Sequence, residues 1–272
     1  MKDIKSLKSY KIVTEKELPE VNGTGYILEH IKTKARVLII SNDDENKVFN
    51  IGFRTPPYDD SGIPHIIEHS VLCGSKKYPV KDPFVELAKG SLNTFLNAMT
   101  YSDKTVYPVA SCNTTDFENL MKVYLDAVFY PNIYEKTEIM RQEGWHYELD
   151  SVDGELKYNG VVFNEMKGVY SSPEQLLNRL IEASLLKDTP YGKDSGGDPK
   201  YIPTLTQERF LDFHSKYYHP SNSYIYLYGN MDVAEKLAFI DEEYLSHYEK
   251  KTVDSKVAMQ EAFKAPETLK DT

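Results

Sequence analysis

Three apolar, β-rich segments broken by polar turns open the chain: Thr24 to His30, Val37 to Ile40 and Val48 to Phe53, separated by Lys32-Thr33-Lys34 and Asn42-Asp43-Asp44-Glu45-Asn46. That pattern predicts strands. A helix is expected at about 63–72, since Ser61-Gly62 precedes it and Pro64 falls in its first turn, where a missing N–H costs little. A second helix is expected from Pro83 to about Lys89. Residues 93–101 and 105–112 read as a hairpin, and Pro108 in its second arm suits a strand edge or bulge better than a central position. Phe117, Leu120, Met121, Tyr124, Leu125 and Val128 recur at helical spacing, predicting a helix from Thr114 to about Phe129. Further on, 135–146 reads as helical, 159–169 as a short helix, and 173–187 as another beginning at Ser172-Pro173-Glu174. A long loop, Asp188 to Pro203, precedes a helix at 206–218, a strand at 222–229 and a helix at 232–246. Strands in runs and helices in runs predict an α+β fold rather than strict βαβ alternation. The expected domain is 1–250, with 251–272 a charged linker towards a second domain.

Composition narrows the class. The 272 residues, 40% hydrophobic and 27% charged, suffice for a large core. No apolar run approaches about 18 residues, so no transmembrane helix is expected. The polar start, Met1 to Lys5, lacks a signal-peptide core, which gives a cytoplasmic expectation. Forty-two Asp+Glu against 32 Lys+Arg, a net charge of −10, argue against nucleic acid. Cys73 and Cys112 do not make a disulfide framework.

The chemistry begins at His65-Ile66-Ile67-Glu68-His69. It reads H-x-x-E-H, and two imidazoles four apart share one helical face, so both can reach one ion. Glu68 sits at the edge of that face, close enough to take a proton from a water held there. A third ligand is offered by Glu165 in Asn159-Gly160-Val161-Val162-Phe163-Asn164-Glu165-Met166-Lys167-Gly168. Two histidines, a glutamate and one open position make the composition of a catalytic zinc site. Spacing alone is also met by a surface glutamate, and Cys73 lies near enough in sequence to be weighed as a ligand.

H-x-x-E-H followed by N-G-V-V-x-N-E-M-K-G resembles the pitrilysin/insulinase metallopeptidases. The segments Gly62-Ile63-Pro64-His65, Leu72-Cys73-Gly74-Ser75, Ser91 to Ala98, Asp194-Ser195-Gly196-Gly197-Asp198-Pro199 and Tyr217-Tyr218-His219-Pro220-Ser221-Asn222 resemble its presequence-protease, falcilysin-like branch. The resemblance covers about residues 20–250. It implies a metallopeptidase domain of the pitrilysin/mitochondrial-processing-peptidase type, with a mixed or antiparallel sheet and helices mainly on one face. It further implies Zn2+ on His65, His69 and Glu165, Glu68 as general base, and a short unstructured peptide as substrate. That peptide would pair with an edge strand at Asn97, Ala98 and Met99; a second role for Asn97 is to tie down a turn. Family members are longer and enclose substrate between two halves, so the chain is expected to be an N-terminal fragment, poorly active alone, with the missing C-terminal half as partner. Two other readings fit the same motif. In an S-ribosylhomocysteine-lyase-like enzyme, Cys112 would replace Glu165 as ligand. A non-catalytic relative would only bind peptides. The remaining histidines (His30, His146, His214, His219 and His247) show no ligand-like spacing to the motif.

Overall fold

The computed structural model describes residues 3–266 and Thr268. Met1 and Lys2, and the end of the expected linker at residues 267 and 269–272, lie outside the described residues. The strands are β1 (Tyr10–Leu18), β2 (Gly23–His30), β3 (Arg36–Ser41), β4 (Lys47–Arg54), β5 (Asn93–Leu96), β6 (Met99–Thr100), β7 (Lys104–Ser111), β8 (His146–Glu148), β9 (Lys157–Asn159) and β10 (Ser223–Gly229). The helices are α1 (Ile63–Val71), α2 (Pro83–Gly90), α3 (Thr114–Phe129), α4 (Thr137–Glu143), α5 (Val161–Val169), α6 (Pro173–Leu185), α7 (Gln207–Tyr217) and α8 (Val233–Glu243).

The main sheet runs β1, β2, β3, β10, β4, β7, β5, with β6 also on β7; β8 and β9 form a separate hairpin. β10 lies parallel to β3 and antiparallel to β4, which makes the sheet mixed. Alternation decides its faces. Val37, Ile39, Phe49, Ile51, Tyr107, Val109, Ile225 and Leu227 point inward and are buried, whereas Leu38 and Tyr224 point outward and are exposed. Helices cover the inward face: α3 lies on β4 and β7, and α1 on β6 and β7, with α4 and α7 packed against α1. The fold is therefore α+β, as the segment order implied. Phe117, Leu120, Tyr124, Leu125 and Val128 of α3 are all fully buried. Each such side chain contributes about 1.5–3 kcal/mol by leaving water, so α3 anchors the layer on which the site is built.

Four expectations need correction. β1 was not expected, because Lys11, Glu15, Lys16 and Glu17 mask the strand; it pairs along β2 at the sheet edge, where charged side chains reach water. The arm 93–101 is split into β5 and β6. Pro108 sits in β7, interior to the sheet rather than at an edge. Its ring costs little there because its missing N–H faces Asn97. The Asn97 N–H still donates to the Pro108 carbonyl (3.2 Å), and the Asn97 carbonyl takes the Tyr124 hydroxyl instead (3.3 Å). The helices expected at 135–146 and 232–246 are shorter: α4 stops at Gly144 because His146–Glu148 is drawn into the β8–β9 hairpin, and α8 gives way to a tight turn at Leu245–His247. From Tyr248 to Pro266 no regular element forms, yet Val253 packs on the core and buried Ser255 donates to Asn222 Oδ1 (2.8 Å).

Candidate functional site

α1 is fixed by its apolar face. Ile63, Ile66, Ile67 and Val71 are buried, which turns His65 and His69 towards a cleft. The helix starts at Gly62, whose φ of 69° is in the left-handed region. A side chain there would also strike the loop after α6, since a Cβ would come within 2.7 Å of the Gly196 oxygen. That loop matters, because the Gly196 carbonyl lies 3.1 Å from His65 Nδ1. A carbonyl only accepts, so Nδ1 is the donor here, and in the neutral ring that tautomer leaves the Nε2 lone pair facing the cleft. α5 buries Val162, Phe163 and Met166 and so presents Glu165 outward, opposite α1. Glu165 Oε2 lies 3.7 Å from His65 Nε2 and 3.8 Å from His69 Nε2.

One ligand atom from each of the three residues lies within 4.8 Å of the others. Tetrahedral zinc with bonds of about 2.0–2.1 Å sets its ligands roughly 3.3 Å apart, so the two separations from Glu165 would shorten by about half an ångström, and that between the histidines by up to about 1.5 Å, to close the site. Two imidazole nitrogens and a carboxylate are also the right donors for that ion, and the residues present fit it. Glu143, buried at the end of α4, places Oε2 3.4 Å from His69 Nδ1. Burial works against the His69 cation, but Glu143, with Glu68 and Glu165 nearby, outweighs it and raises the imidazole pKa above its ordinary value. A carboxylate behind a ligating histidine holds the ring and its tautomer.

Glu68 is 7% exposed, and Thr100 Oγ1 donates to its Oε2 at 2.6 Å. This hydroxyl ties α1 to β6. A cavity of about 520 Å³ runs along that edge, lined by the three clustered residues with Glu68, Asn97, Ala98, Met99 and Thr100. A second, of about 290 Å³, adjoins Glu68 and His69 between α1 and α2, with Leu72, Phe84 and Val85 in its walls. Met99 is in β6, but Asn97 and Ala98 fall in the break before it. Asn97 Oδ1 accepts from the Ala98 N–H (3.0 Å), so this side chain does tie down the turn.

The cysteines stay outside the cluster. Burial, reinforced by Glu143, pushes the Cys73 thiol pKa well up, and its Sγ lies against the His69 carbonyl. Cys112 is exposed beside Asn46, while Glu165 occupies the third position, so the lyase-type arrangement finds no support. Other histidines are held by neighbours: His30 by Thr33 and Asp241, and His214 by Tyr134 and the Val128 carbonyl. Sequence reasoning missed the supporting contacts of Glu143, Thr100 and Gly196. For Glu143 a signal existed: it follows Ile139 by four positions and Met140 by three, which sets a carboxylate on the buried face of α4.

Comparison with known proteins gives the family. A family model described as "Insulinase (Peptidase family M16)" matches residues 48–184, and one described as "Peptidase M16 inactive domain" matches residues 204–271. "Protein HypA" of Clostridium perfringens (strain 13 / Type A) is 59% identical over 256 residues, covering 94% of this chain and 26% of that protein. "Presequence protease 1, chloroplastic/mitochondrial" of Arabidopsis thaliana is 53% identical over 262 residues, covering 96% of this chain and 24% of its own length. The mitochondrial presequence protease of Xenopus tropicalis is 41% identical over 264 residues, with 96% and 26% covered. The chain thus spans about a quarter of the length of the curated relatives it matches. The crystal structure of pitrilysin superposes with a TM-score of 0.67 at 18% identity, over 91% of this chain and 25% of that one, a likeness of fold.

Proposed function

The chain belongs to the insulinase family of peptidases, M16, and on that premise we propose that it is the zinc-binding catalytic domain of an endopeptidase acting on short, unstructured peptides. One observation carries the reading: His65, His69 and Glu165 converge within 4.8 Å, and the buried Glu68 carboxylate lies beside them on the same helix. Zinc bound there would polarise a scissile carbonyl and lower the pKa of a water to about 7. Glu68 is placed to accept that water's proton and pass it to the leaving amine, and Thr100 holds its carboxylate in one orientation. His65 and His69 keep their Nε2 atoms turned to the cleft through Gly196 and Glu143.

The substrate would lie along Asn97, Ala98 and Met99, pairing through its main chain, which tolerates many sequences. The second cavity, with apolar walls at Leu72, Phe84 and Val85 and acidic ones at Asp82 and Glu143, is suited to a side chain flanking the cleaved bond. The Glu165 side chain is 49% exposed and that of His69 26% exposed, so the site needs a cover before water can be excluded. In this reading a further part of a protein of the relatives' length supplies that cover and the donors for the oxyanion. The 272-residue chain alone would then be a poor peptidase. The test is elemental analysis of the purified chain, together with cleavage of an unstructured peptide by a protein of the relatives' length. One zinc per chain, lost in Glu165→Ala and kept in Glu68→Gln, is expected. Zinc content unchanged in Glu165→Ala would remove the third ligand.

A further inference from the structure

We propose that Asp194 is a positioning residue that sets two of the three metal ligands at once; this rests on the zinc reading above. Its Oδ1 accepts the N–H groups of Gly196 (2.9 Å) and Gly197 (3.2 Å), folding the loop so that the Gly196 carbonyl faces His65 Nδ1. Its Oδ2 accepts the Tyr170 hydroxyl at 2.6 Å. Tyr170 caps the C-terminus of α5, the helix that carries Glu165. One carboxylate therefore links the support of His65 to the helix of Glu165, which come from segments far apart in sequence.

Asp194 is itself held from behind. Its N–H donates to Asp60 Oδ1 (2.8 Å), and the same oxygen accepts from Arg179 Nη2 (2.7 Å), which also reaches the Gly192 carbonyl (2.6 Å). Arg179 Nε lies 4.0 Å from Asp194 Oδ2. Asp194 and Arg179 side chains are 16% and 18% exposed, so water competes weakly for these bonds. Gly197, at φ 103°, lets the loop close directly on Gly62 at the start of α1, leaving no room for slack. Two imidazoles and a carboxylate bind tightly only when their separations suit the ion, so a frame spanning both elements sets affinity without touching the metal.

The experiment measures zinc affinity of the folded chain by competition with a chromophoric chelator, and the visible spectrum of its Co2+ form. Circular dichroism confirms folding of each variant. Asp194→Ala should weaken zinc by about 10- to 100-fold, the usual effect of losing a group that orients a ligand, and should alter the Co2+ bands. Asp194→Asn, which keeps an oxygen for the Gly196 and Gly197 N–H groups, should recover most of the affinity. Tyr170→Phe removes only one hydroxyl and should weaken zinc several-fold, up to roughly tenfold; it decides the matter if Asp194→Ala does not fold. Zinc affinity and Co2+ spectra matching the parent chain in Tyr170→Phe and in folded Asp194→Ala overturn the inference alone. A parent chain that takes up no zinc overturns the functional reading beneath it.

Discussion

Removing one metal ligand should shift a zinc-dependent gain in thermal stability to far higher zinc, and the size of that gain can be worked out. A ligand that binds only the folded state stabilises it by RT ln(1 + [L]/Kd), about 1.4 kcal/mol for each tenfold rise in free zinc above Kd and about 4.1 kcal/mol at 1,000 Kd. For a chain of this size 1 kcal/mol moves Tm by roughly 2–4 °C, nearer the lower figure. The melting temperature should therefore climb roughly 3 °C per decade of free zinc. The ligand separations of 3.7 and 3.8 Å place all three donors around one point in the folded chain, a site the unfolded chain lacks. His65→Ala leaves only His69 and Glu165, so the climb should begin at far higher zinc. His69→Ala and Glu165→Ala should behave alike. Glu68→Gln should keep the full slope, because Glu68 is not one of the three converging ligands. The assay is calorimetry or Trp145 fluorescence melting in buffered free zinc, with chelator as the zero point. A climb that begins at the same free zinc in His65→Ala as in the parent chain, or no climb in the parent chain, would refute the three-ligand site.

In a protein of the relatives' length, Glu68→Gln should lose most peptidase activity with zinc retained; near-normal turnover would remove Glu68 from the base role. Thr100→Val deletes a charge-assisted hydrogen bond worth about 1.5–3 kcal/mol, so kcat should fall about tenfold or more while KM and zinc hold, and Thr100→Ser should restore it; an unchanged kcat refutes the positioning of Glu68. A bound peptide should make backbone hydrogen bonds at Asn97 to Met99, and a complex with the peptide lying elsewhere would refute that pairing. His214, pushed down to about 4 by burial, remains neutral in the folded chain while the unfolded chain takes up the proton near pH 6.5. Its contribution is present above about pH 6.5 and is lost as pH falls towards 4, a span worth roughly 3 kcal/mol, so urea midpoints should drop across that range and drop less in His214→Gln.

What was legible in the sequence follows the range of the interaction. α1 and α3 could be read because a helix with one buried face repeats its apolar residues within a few positions, and Ile63, Ile66, Ile67 and Val71, like Phe117 to Val128, do so. The grouping of His65, Glu68 and His69 is local in the same sense. The place of β10 between β3 and β4 was not legible, because its alternation fits any half-buried strand and its partners lie about 180 residues earlier.

The supports of the site show the limit most clearly. Glu143, Thr100 and Gly196 reach His69, Glu68 and His65 across long stretches of chain, through a carboxylate, a hydroxyl and a backbone carbonyl that many residues could offer. The proline in β7 shows how a correct local rule misleads. Pro108 lacks a donor, and an edge position or a bulge is the usual answer; the break at Asn97 and Ala98 serves as the second. Here Tyr124, from a helix chosen for its apolar face, turns its hydroxyl to the carbonyl that Pro108 leaves unpaired. The sheet thereby keeps a proline in an interior strand, and the break opposite it falls at Asn97 and Ala98, beside the clustered ligands. A defect in the ladder and the proposed start of the substrate edge are thus one feature, visible only when strand, helix and turn are seen together.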